Sequence, residues 1–267
     1  MSATYRQSSD LGDALAAEDP ENIHYARGPR WRMTAEMVRD HALAVSGLLE
    51  GTIGGQSVTP YQPAGIWNPL NSFYEYPDAA AVPADEHHRR TMYTFVKRNA
   101  LHPALKIFDF MNRTTSVSRR RTSNTPLQAL TLMNDPQYVE AYRALAGVVL
   151  QQAGSAAADD EQGADEQGAD EPAADEAADE PAGRARAQLR RLYRLATRTT
   201  PSAAMLDRLA SFYADQRATL AADPGKARSL LAVGVTQPDA NLDPVELAAM
   251  TNVAALVMNS PDAYMVR

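Results

Sequence analysis

The chain contains no cysteine. Disulfides, thiolate metal sites, a cysteine nucleophile and the C-x-x-C-H haem attachment are therefore excluded within its 267 residues. No apolar run reaches the ~18 residues that a membrane span requires. The opening segment, MSATYRQSSD, also lacks the apolar core of a signal peptide. There is no G-x-S-x-G elbow, no P-loop and no H-E-x-x-H pair, so no motif assigns a catalytic residue. Period-two alternation is nearly missing, which argues against a sheet protein. Histidines are few: His24, His41 and His102 are isolated. His87 and His88 follow Asp85 and Glu86, a row that cannot turn all its ligands to one metal. No metal site is expected, and the row reads as a solvated polar turn.

Apolar residues make up 45% of the sequence, enough to bury a core. The net charge of −7 conceals two unlike parts. Residues 155–183 carry eleven acids and no base, which leaves the remainder at +4. Positive charge concentrates between Arg89 and Asn134, where nine Lys or Arg residues accompany one acid, Asp109. The segment from Gly154 to Gly183 repeats Ala-Asp-Glu four times and has no apolar side chain larger than alanine. Such a composition cannot bury enough surface to offset its ordering entropy, so it reads as a disordered acidic insertion.

The expected fold class is mainly α. Residues 1–153 form the first part of a helical domain, 154–183 the insertion, and 184–267 the C-terminal helical part. Residues 1–33 are polar and read as an extended lead-in. Thr34 opens a helix with Val38, Ala42, Val45 and Leu49 on one face; Arg39 and Asp40 lie off that stripe, as solvated residues do, and Gly54-Gly55 ends it. Residues 56–82 interleave four prolines with aromatics, a pattern that forbids regular helix and predicts a long ordered loop packed over the core. Further on, Thr125-Pro126-Leu127-Gln128 spells an N-cap, a first-turn proline and the glutamine of a capping box. Asp135-Pro136, Thr200-Pro201, Asp223-Pro224 and Asp243-Pro244 repeat the cap-then-proline signal.

Two candidate sites follow. Arg119 and Arg120 precede the helix capped by Thr125 and Gln128, and arginines near unpaired helix amides suit an anion. The bland alternative pairs the arginine cluster with acids such as Asp109 or Asp135. Tyr61, Trp67 and Tyr74 in the proline-rich loop would make an aromatic rim suited to sugar rings. The basic stretch could also contact nucleic-acid phosphates. Its charges, however, alternate with Phe95, Val96, Leu105, Ile107 and Phe108, which fits amphipathic elements packed into a core. Nucleic acid is the less favoured partner.

Several blocks resemble a known family: WRMTAEMVRDHALAVSGLL, GGQSVTPYQPAGIW, RRTMYTFVKR, FDF, RRRTSNTPLQALTLMNDPQYVEA and the closing LVMNSPDAY. They are similar to the C-terminal domain of large planctomycete proteins catalogued as domain of unknown function 1553. Ser123 stands where that family usually has threonine, which keeps the hydroxyl. Ser116 stands where many relatives have cysteine, which argues against an essential thiol. The resemblance implies an exported chain with upstream helical and c-type cytochrome-like domains. Met1 to Ser9 resemble an internal family segment, so the sequence reads as the tail of a longer member. Haem would then belong to the upstream part, with no cofactor in this chain, and the cell envelope or periplasm would be its place. A non-catalytic binding or scaffold role is expected. The alternatives are a share in the cleft of an envelope polysaccharide enzyme, or anion or nucleic-acid binding through the basic segment.

Overall fold

A computed structural model describes residues 3, 6–9, 12–63, 65–66, 75–151 and 181–266. In chain order the named elements are α1 (Asp13–Glu18), β1 (Trp31–Arg32), α2 (Ala35–Val45), α3 (Ala84–His87), α4 (Pro103–Ile107), α5 (Pro126–Asn134) and α6 (Pro136–Gln151). They continue with α7 (Pro181–Thr197), α8 (Ala203–Ala222), α9 (Pro224–Leu231), α10 (Pro244–Met258), α11 (Pro261–Tyr264) and β2 (Met265–Val266). The class is mainly helical, as the sequence predicts. Of the acidic segment, only Pro181–Gly183 fall within the described residues. They belong to the first turn of α7.

Local chemistry sets most helix starts. The side chains of Thr34, Asp223 and Asp243 accept the backbone N–H of Met37, Lys226 and Glu246, and each such cap contributes about 1 kcal/mol. The Thr125–Gln128 capping box opens α5, and Asp135 accepts the N–H of Gln137 at the start of α6. At Thr200-Pro201 the expectation fails: Ser202 is the cap and α8 starts at Ala203. The first helix also stops sooner than expected. Ser46 caps α2 and Gly47 turns the chain at φ +75°, well before Gly54.

The core gathers around α10, whose mostly small and apolar residues are buried on nearly every side. It packs against α6, α8, α9 and α7. Tyr142, Leu145 and Val149 of α6 and Leu189, Leu192 and Ala196 of α7 complete the centre. Each fully buried aliphatic side chain among them contributes about 1.5–3 kcal/mol before entropy is counted. The described part of residues 1–33 is not the extended lead-in expected. It folds as α1, a turn in which Asp19 accepts the N–H groups of Ile23 and His24, and strand β1. That strand pairs antiparallel with β2, Trp31 opposite Val266 and Arg32 opposite Met265.

Candidate functional site

Residues from distant parts of the chain converge inside the molecule on the side chain of Glu140 in α6. Glu140 is 1% exposed, and its two oxygens have five donors between them. Oε2 accepts the phenol of Tyr61 at 2.7 Å and Nε2–H of His88 at 3.2 Å. Oε1 accepts the N–H of Val235 at 2.9 Å and both the N–H and hydroxyl of Thr236 at 2.6 Å. Burial alone would raise the Glu140 carboxyl. The bonds from His88, Thr236 and Tyr61 outweigh it and hold the group at about 2. Arg143, one turn along α6, lies 3.6 Å from Oε1 and donates to the carbonyls of Leu231, Val233 and Thr236.

Arg39 organises the facing side. It is buried, and so is not the solvated residue that helix periodicity suggests. Its guanidinium donates to Gln137 Oε1 at 2.8 Å, to the carbonyls of His87 and Arg89, and to the Thr91 hydroxyl. Arg89 in turn holds the carbonyls of Gln56, Thr52 and Gly54 and lies 4.2 Å over the Tyr93 ring. His87 and His88 are likewise not a solvated turn; both are buried. The Tyr61 N–H donates to His87 Nδ1 at 3.1 Å, so Nε2 carries the proton toward the Ala79 carbonyl. No group of three or more metal-binding side chains occurs among the described residues. Removing one partner from a buried charge network costs about 3–5 kcal/mol, whereas an intact pair nets little. These groups therefore specify the packing more than they add to it.

The predicted anion residues share one neighbourhood but do different things there. Gln128 is buried: its Oε1 accepts the Thr125 N–H, and its amide donates to the Ile107 carbonyl at 2.9 Å and to Ser123 Oγ at 3.1 Å. Ser123 Oγ and N–H both reach Asp109, which also pairs with Arg32 at 2.7 Å. Arg120 is paired with Glu36 at 2.8 Å, an acid the sequence offered no reason to choose. Arg119 is exposed. Of the aromatic trio, Tyr61 is turned into the protein onto Glu140. Trp67 and Tyr74 lie outside the described residues.

The model of a family described as "PSD1: Protein of unknown function (DUF1553)" matches residues 1–213. The chain belongs to the DUF1553 family. No curated protein matches it, and no solved structure does. Every residue of the buried network named above up to Arg143 lies inside the matched span of this DUF1553 chain, and α9 to α11 lie beyond it.

Beside the network the surface opens into a groove of about 560 Å³ between α2, the end of α7 and the strand pair. The same segments that bury Arg39 and Arg89 turn their next residues, Asp40 and Arg90, to its lining. Asp40 accepts the N–H and hydroxyl of Thr91 at 2.8 and 2.6 Å. His41 donates Nε2–H to the Ala196 carbonyl at 2.9 Å, and burial, with the charge of Arg198, lowers its pKa. Methionines 33, 37 and 265 line the apolar side. The sequence presents His41 as isolated and Asp40 as a solvated residue off the helix stripe. No motif singles out Arg90 or Arg198.

Proposed function

We propose that this DUF1553 domain is a non-catalytic binding or scaffold module that acts beside a haem-bearing, c-type cytochrome-like domain of an exported chain. One observation supports the modular part most directly. Four charged residues in or just beyond the family-like blocks are engaged inward: Arg39, Arg89 and Arg143 hold backbone carbonyls, and Glu140 is saturated by donors. Groups held this way build a frame that carries a surface. The cytochrome partnership rests on the family resemblance.

The test uses the native protein in its source cells. Envelope and soluble fractions are probed with an antibody raised to residues 184–267, and the same blot is stained for covalent haem. The expected result is a haem-positive envelope band well above 29.0 kDa, the mass of this chain. A soluble, haem-free band near that mass would overturn the partnership.

A further inference from the structure

The geometry points to a ligand for the groove beside α2: a small amphipathic monocarboxylate, held at its head by Arg90 and Arg198 and along its tail by the methionine wall. The inference deepens the binding-module reading and rests on it.

The charge at the groove comes from distant parts of the chain. Arg90 follows the buried Arg89, and Arg198 follows the last turn of α7. Both are exposed, and neither forms an ion pair among the described residues. Arg198 also sits at φ +61°, in the left-handed region. A helix stop of that kind is usually glycine, because the Cβ of another L-residue crowds the backbone there. Here the position carries a guanidinium that reaches the groove and acts electrostatically on His41. The planar fork of arginine matches a carboxylate better than a point charge would.

Two acids in the lining set the ligand's charge. Asp40 is engaged by Thr91, and Asp262 accepts the Tyr193 phenol at 2.7 Å. Both line the groove with Arg90 and Arg198, and a monoanion suits that mixed field better than a dianion. With Nε2–H committed to the Ala196 carbonyl, neutral His41 keeps Nδ1 as an acceptor. The rest of the lining includes Met33, Met37, Leu49, Met265 and Val266, whose side chains offer only apolar surface. Methionine side chains repack around tails of different shape, so head-group charge decides selectivity more than tail structure. The volume lies within the range of small-molecule sites, roughly 300–1,000 Å³.

The test is calorimetric titration of the full chain with sodium octanoate below its micelle concentration, compared with octanol, acetate and octyl phosphate. Octanoate is expected to bind saturably and one-to-one, at least about tenfold tighter than octanol or acetate, since octanol lacks the charged head and acetate the tail. The R90A/R198A double variant should lose about tenfold in affinity with an unchanged melting curve. Ala44→Trp, which fills the groove from the exposed side of α2, should abolish binding. Octanol binding as well as octanoate, or octanoate affinity indifferent to R90A/R198A, would overturn the assignment. Preferential binding of octyl phosphate would do the same. A protein that ignores free octanoate yet sediments with vesicles containing carboxylate lipids would show a membrane contact instead. A flat titration removes the ligand and leaves the haem partnership standing; a soluble, haem-free native band does the reverse.

Discussion

His102 lies where the amide of Gln137, 2.9 Å away, meets its Nε2, next to the Tyr61 carbonyl. Gln137 has its oxygen committed to Arg39, so its nitrogen must donate, and Nε2 of His102 is the acceptor. Burial lowers the His102 pKa from 6.5 to about 4. Between those values the unfolded chain holds a proton that the folded chain refuses, so stability falls as pH falls. The contribution is intact above 6.5 and gone near 4, and amounts to about 3 kcal/mol at most. His102→Gln removes the titration, and urea midpoints measured at pH 7.5, 6 and 4.5 should then vary less than in the parent. Parallel pH slopes for parent and variant would assign the acid sensitivity to another group. Glu140 adds a separate loss at lower pH. Its depressed pKa contributes stability above the ordinary 4.5 that disappears as pH falls toward 2.

At the scale of elements, the decisive contact is between α6 and the loop joining α9 to α10. Gly234 in that loop adopts φ +101°, and a Cβ placed there would meet three Glu140 side-chain carbons at 2.6–2.8 Å. Only glycine lets the following N–H groups of Val235 and Thr236 reach the carboxylate. Gly234→Ala combines backbone strain with displacement of a buried charge and should destabilise the fold by about 3 kcal/mol or more. Chemical denaturation checks this, and a loss below about 1 kcal/mol would show that the loop relaxes at little cost. The contrast with the helix caps explains what the sequence makes legible. Thr125 and Gln128 are three residues apart, so their bond could be read directly. Arg39 finds Gln137 across 98 residues of chain, and no helical period reports such a partner. Periodicity placed Arg39 in solvent and the paired histidines in a turn, because both rules assume that charge avoids burial. The groove was illegible for the same reason: its arginines come from Arg90 and Arg198, which no motif links.

At the scale of the whole molecule, the folded unit and the family match differ in extent. The match ends at residue 213, inside α8, yet α10 is the helix on which α6, α7, α8 and α9 pack. A fragment of residues 1–213 would expose the apolar faces of α6 and α7 that α10 covers, and it should show no cooperative thermal transition where the full chain does. A sharp melt from the fragment would mean that the matched span folds alone. Apolar periodicity and helix caps made the helical class readable, while the joining of early and late segments was not, since two-residue strands leave no pattern. That joining has a consequence for damage to the chain. One wall of the groove is Met33 beside β1, and its continuation is Met265 and Val266 in β2. A cut between Tyr264 and Met265 would spare the donors around Glu140 and strip one side from the groove. The clipped protein would then keep its melt and lose its binding surface.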